Sequence, residues 1–148
     1  MNQEGWYSAD MHVHRDPAEI PQILLAEGLN FVPTITYHVW SEEVSTPFPS
    51  SAEFPVQVDD SHFFTGNAQE VERIQGGPGA VILLAEELPI PFEGYEHYPP
   101  AAYYTRRVHE QGGYVEGDKL FWLDTIVNVP LGHIDFIELN CNHFLPRD

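Results

Sequence analysis

Short apolar runs alternate with segments of helical period along this chain, a rhythm that predicts βα units around a mostly parallel sheet. The first run, residues 6–13, ends in Asp10-Met11-His12-Val13-His14. Behind it Ile20, Ile23, Leu24 and Ala26 recur at helical spacing before Gly28. Asp16-Pro17-Ala18-Glu19 has the cap, first-position proline and capping-box character of a helix start. Pro21 would delete a backbone bond deeper in that turn, so the regular helix is expected to begin there. The second run, 30–37, is rich in β-branched residues and leads into His38-Val39-Trp40. Residues 41–66 hold Ser, Pro and Asp without a sustained period and predict a long loop excursion. A short helix is expected over 68–75, and a buried third strand over 80–85, ending in Glu86-Glu87. A loop then leads to a helix opened by Pro99-Pro100, on which Ala101, Tyr104 and Val108 share a face, and which Gly112-Gly113 stops. A fourth strand over 114–118, partial helix over 121–131 and a fifth strand over 134–139 complete the expected α/β domain, spanning 1–148.

Composition narrows the chemistry. With 148 residues, 43% hydrophobic and 20% charged, the chain is excluded from wholesale disorder. Six Lys+Arg stand against 23 Asp+Glu, a net charge of −17, which repels phosphate backbones, so no nucleic-acid partner is expected. No apolar run reaches the roughly 18–20 residues of a membrane span, and no membrane partner is expected either. The opening Met1-Asn2-Gln3-Glu4-Gly5 is polar and does not read as a signal peptide, which makes a cytoplasmic location the default expectation. Cys141 is the single cysteine, excluding an internal disulfide and a multi-cysteine zinc site. Eight histidines in an acidic chain are the unusual count, because imidazole plus carboxylate is the ligand set of divalent transition metals.

Each expected strand hands over at its C-terminal end to such groups: His12 and His14, His38, Glu86-Glu87, Glu116 and Asp118, then Asn140, Asn142 and His143. In parallel α/β architectures these ends converge on one surface. Residues two apart on a strand point to the same side, so His12 and His14 can share an ion while Val13 packs away from it. His62, His109 and His133 read as structural, His97 lies in a loop overhanging the site, and Cys141 reads as a buried apolar residue. Asp118 has a structural rival, since Gly117-Asp118-Lys119 is also good turn chemistry. Gly5, His12, His14 and Glu19 come close to a cupin metal motif, but the following residues favour a turn and helix over the strand a cupin needs, which makes cupin the weaker alternative.

The residues 8–15, Ser-Ala-Asp-Met-His-Val-His-Arg, resemble the opening of the polymerase and histidinol phosphatase (PHP) domain superfamily, its CehA/McbA family of metallohydrolases most of all. The stretch from Asn30 to His38 is similar to the family's second-strand motif, and Ala85-Glu86-Glu87-Leu88 to its Gly-x-Glu segment. Residues 117–122 and 135–143 resemble a divergent branch of it. The resemblance implies a distorted β/α barrel holding divalent ions, commonly zinc, manganese or iron. It makes His12 and His14 first-strand ligands and Glu87 or Glu86 the bridging carboxylate, and it puts Asp118 where a ligand histidine is usual. Two positions depart from the pattern: Tyr37 stands where Asp precedes the histidine, and the closing Asp-x-His is missing. A complete barrel takes roughly 200 residues or more, so a partial barrel of about five parallel strands is expected, or one completed by a partner.

These readings predict a metal-dependent hydrolase acting on an ester, amide, carbamate or phosphoester of a small-molecule substrate. Its expected metal ligands are His12, His14, Glu86 or Glu87 and Asp118. Asp118 or Glu116 is expected to act as general base or to hold a second ion, and His38 or His143 to stabilise the developing oxyanion. A non-catalytic metal- or ligand-binding remnant of the same barrel is the alternative. Open sheet edges also offer a route to self-pairing as a homo-oligomer.

Overall fold

The computed structural model describes residues 4–39, 44–50, 52–72, 79–92, 100–119 and 123–138. Helix α1 (Ile20–Glu27) takes Pro21 into its first turn, where the missing N–H costs no intrahelical bond. It ends at Gly28, whose left-handed φ of 68° lets its N–H return to the Leu24 carbonyl. Its buried Ile20 and Leu24 pack on Val32 and Phe64.

The single apolar run after α1 becomes two strands, β1 (Phe31–Pro33) and β2 (Tyr37–Val39), because the chain bends between them. Two later strands bend beside them. β3 (Val56–Asp59) turns back through Asp59-Asp60-Ser61 into β4 (His62–Thr65), which continues past Gly66 into β5 (Ala68–Glu72). β1 runs parallel to β4, and β2 parallel to β5. The bend keeps its backbone groups paired: Thr34 N–H donates to Thr65 O at 2.7 Å and Thr36 N–H to Ala68 O at 3.2 Å. A side chain at Gly66 would collide with the ring of Phe54, so the close approach requires glycine.

β6 (Ala80–Leu84), α2 (Ala101–Glu110), β7 (Tyr114–Gly117), α3 (Leu123–Asn128) and β8 (Phe136–Ile137) follow. The strands form a three-stranded sheet, β1-β4-β3, and a five-stranded sheet, β2-β5-β6-β7-β8. β6 is antiparallel to both its neighbours, β5 and β7, while β7 and β8 are parallel. The opening segment bridges in parallel to β1 and its exit, through Ala9–Phe31 and Val13–Thr34.

Period-two alternation in the larger sheet separates two chemistries. One face gives Val39, Val71, Val81, Leu83 and Val115 to a core closed by Ala101, Tyr104 and Val108 of α2. Removing this layer from water stabilises the sheet by about 25 cal/mol per Å² of apolar surface buried. Gln69 also points to this side, and its amide spans the Ile90 backbone, donating to O at 2.9 Å and accepting from N–H at 2.8 Å. The opposite face carries the row His38, Glu70, Ile82, Glu116 and Phe136, each the register partner of the next. Ile35, Ala68 and Ile82 form a small apolar floor beneath it.

The architecture is mixed α/β with more strand than helix among the described residues, and several sequence expectations change. The parallel arrangement of about five strands is replaced by two mixed sheets that do not close into a barrel among the described residues. The excursion over 41–66 contains the β3–β4 hairpin, whose alternating Val56, Val58 and Phe64 pack against the α1 core. The short helix expected over 68–75 is strand β5 in its described part, buried along most of its length between β2 and β6. Tertiary pairing outweighs the local helical preference of Ala-Gln-Glu there. Of the opening run, only isolated bridges form. The segment after the two histidines is helix α1, as its turn chemistry predicts.

Candidate metal centre

His12 and His14 lie on the opening segment where it passes the β1 exit, and Val13 between them packs toward the α1 core. Their Nε2 atoms face each other at 2.8 Å. Glu70 reaches the same point from β5: Oε2 is 3.1 Å from His14 Nε2 and Oε1 is 3.6 Å from His12 Nε2. The Glu70 residue is only 1% exposed, so its charge has little water to compensate it. These three residues form one of the clusters able to hold a metal ion. Donors bonded to one ion at about 2.0–2.1 Å lie roughly 3 Å apart, so the spacing suits a shared cation.

The outer nitrogens of both imidazoles are also held. His12 Nδ1 lies 2.6 Å from Asp118 Oδ1, at the exit of β7. A proton on Nδ1 shared with that carboxylate leaves the Nε2 lone pair directed at His14 and Glu70. His14 Nδ1 lies 3.0 Å from His38 Nε2. If His14 donates to His38 through Nδ1, two imidazole lone pairs and a carboxylate meet at one point, an arrangement that a cation or a proton must neutralise.

In the metal-free protein, protons on the imidazoles supply that neutralising charge. Burial works against charge on His12, but the Asp118 hydrogen bond and the charges of Asp118 and Glu70 outweigh it and raise its pKa. Burial by itself would raise Glu70, yet the hydrogen bond from His14 and the charges of both histidines bring it below the ordinary carboxylate value. Asp118, also opposed by burial, is brought down to about 2 by His12 and Lys119. Lys119 Nζ sits 2.5 Å from Asp118 Oδ2, and the Lys119 carbonyl is fixed by the Thr125 hydroxyl of α3 at 3.0 Å. His38 is pushed down to about 4 by burial and then by its neighbour His14, which keeps it a neutral imidazole.

A cleft of about 410 Å³ opens beside His12, between the opening segment and β8, lined by Asp10, Met11, His12, Glu116, Phe136 and Glu138. Glu116 is buried, and its Oε2 has no hydrogen-bond partner among the described residues. Burial first, then the charges of Asp118 and Glu138, pushes its pKa up to about 8.

The structure therefore brings together His12, His14, His38, Glu116 and Asp118 of the residues singled out in the sequence. Asp118 sits on the outer nitrogen of His12, and His38 on that of His14. Glu86 and Glu87 do not join them. Both are exposed, and Glu87 N–H donates to the Gln111 side chain. The reason is strand direction: Ala80, at the start of antiparallel β6, pairs with Glu72 near the cluster, whereas Leu84, just before the two glutamates, pairs with Ala68 and Tyr114 at the other end. Glu70 supplies the carboxylate instead, a residue the expected helix over 68–75 had concealed. The alternation of Glu70 and Glu72 about Val71 was the available signal. His62 pairs with Asp59 and His109 with Asp135, outside the cluster. His143, with Asn140, Cys141, Asn142 and His97, lies outside the described residues. No protein-family model matches this chain, nor does any curated protein or solved structure.

Proposed function

We propose that this chain is a metal-dependent hydrolase whose divalent ion, zinc, manganese or iron, is held by His12 Nε2, His14 Nε2 and the Glu70 carboxylate. The observation carrying this reading is the 2.8 Å approach of the two Nε2 atoms beside a buried carboxylate. When bound, such an ion acidifies a water near neutral pH and polarises the carbonyl or phosphoryl oxygen of a substrate. Asp118 fixes the tautomer of His12, and His38 orients His14. Glu116 offers a carboxylic acid on the cleft wall, able to pass a proton from its carboxyl to a leaving group at neutral pH.

The substrate enters through the cleft beside His12. Among the described residues its lining has Asp10, Glu116 and Glu138 and no lysine or arginine. That charge disfavours a phosphate dianion and favours an uncharged ester, amide or carbamate. We assign the chain to the PHP type, in an incompletely closed form. Two features support this: the His-x-His opening, and the position of the opening segment beside β1 on one side and across a cleft from β8 on the other.

The test is hydrolysis of aryl ester, aryl carbamate and aryl phosphate substrates by protein reconstituted with zinc or manganese, with His14→Ala as control. Turnover of the uncharged substrates that disappears in the variant is the expected result. Metal binding without turnover of any of them overturns the enzymatic reading and leaves a metal-binding remnant.

A further inference from the structure

Glu70 and Glu72 project from the same face of β5, and their carboxylates converge with that of Asp118, all ligand atoms lying within 4.8 Å of one another. Three carboxylates so close repel strongly, and two of the residues, Glu70 and Asp118, are at most 1% exposed. By donor chemistry alone, an all-oxygen trio of this kind is a place for a hard second cation. The chain already has a cation there. Lys119 is 5% exposed, places Nζ 2.5 Å from Asp118 Oδ2, and extends its field to Glu72 and Glu70. The other oxygen of Asp118 is taken by His12 Nδ1. Both oxygens of Asp118 therefore already face a cationic or proton-bearing nitrogen, and the ammonium stands on the side of Oδ2 that an ion would approach.

From this juxtaposition we infer that the Lys119 ammonium is a built-in counter-cation, which occupies the second metal position and limits the centre to one ion. The inference rests on the metal-binding reading above and adds to it the number of ions and the residue that sets it. Its physical basis is charge balance. A buried ammonium beside the carboxylate trio removes the repulsion that would otherwise recruit a divalent ion. The Thr125 hydroxyl donates to the Lys119 carbonyl, which fixes the backbone from which the ammonium projects.

The test is titration of manganese(II) into chelator-stripped protein, for the wild type, Lys119→Met and Lys119→Arg, with binding counted by calorimetry and the bound ions examined by electron paramagnetic resonance. The expected result is one isolated ion per chain in the wild type and in Lys119→Arg, and two spin-coupled ions in Lys119→Met. Two ions in the wild type overturn this inference alone, as does a single ion in folded Lys119→Met. If Lys119→Met is unfolded when stripped, manganese is expected to refold it with two ions per chain, and a failure to refold with the metal overturns the inference. No ion in the wild type overturns the metal-binding reading itself, and this inference with it.

Discussion

Asp118 Oδ1 lies 2.6 Å from Nδ1 of His12, a residue 106 positions earlier in the chain. This contact ties the opening segment to the exit of β7 and sets which imidazole nitrogen is free to bind. Carboxylates placed in this way raise the basicity of a ligating histidine and hold its ring plane. Asp118→Asn keeps the shape but loses the charge. It is expected to weaken zinc binding by about 10–100-fold, measured by competition with a chromophoric chelator. Unchanged affinity would mean that Asp118 does not act through His12.

Glu86 and Glu87 provide the opposite case. Antiparallel β6 delivers them to the end of the sheet away from Glu72 and Gly117. The double substitution Glu86→Gln/Glu87→Gln is expected to leave metal affinity unchanged, whereas Glu70→Gln is expected to abolish stoichiometric binding. Elemental analysis of the purified variants separates the two outcomes.

That contrast shows how far the sequence could be read. The pairing of His12 with His14 was legible because period-two alternation is local, and Asp118 was legible as a polar residue at a strand exit. The direction of β6 was not. A run such as Ala-Val-Ile-Leu-Leu buries equally well in either orientation, and only its long-range partners Glu72 and Gly117 decide which end meets the site. Glu70 was hidden for a related reason. The residues 68–72 have ordinary helix formers, and the parallel pairing with 37–39, across a separation no local window spans, makes them a strand. The bend shared by 34–36 and 66–67 likewise depends on Gly66 meeting Phe54. Helices α1 and α2, by contrast, follow closely from their proline and glycine punctuation.

Glu116 gives the metal-free protein a pH dependence with a definite sign. Its folded pKa, about 8, stands well above the ordinary glutamate value of 4.5. Ionising it therefore costs more in the folded state than in the unfolded chain. Its favourable contribution is fully present below about pH 4.5 and is lost progressively as the pH rises through 8. In chelator-stripped protein, urea unfolding midpoints of the wild type are expected to fall relative to Glu116→Gln between these limits. A constant difference between the two proteins across that range contradicts the assignment.

Gln69 should matter for stability and not for metal. It is fully buried and satisfies both the N–H and the carbonyl of Ile90. Replacement by leucine leaves two backbone groups buried without partners, at a cost of about 2–4 kcal/mol. Urea denaturation of Gln69→Leu measures this directly, and the folded variant is expected to bind metal as the wild type does, because Gln69 projects from the face of β5 opposite Glu70.

The proposed centre requires a cation held between the opening segment and β5. Anomalous scattering from crystals grown with zinc(II) tests it most directly. A single strong peak about 2.0–2.2 Å from His12 Nε2, His14 Nε2 and a Glu70 oxygen is the predicted result. A well-ordered His12–His14–Glu70 cluster with no peak between its donor atoms, at zinc concentrations far above those of the protein, contradicts it.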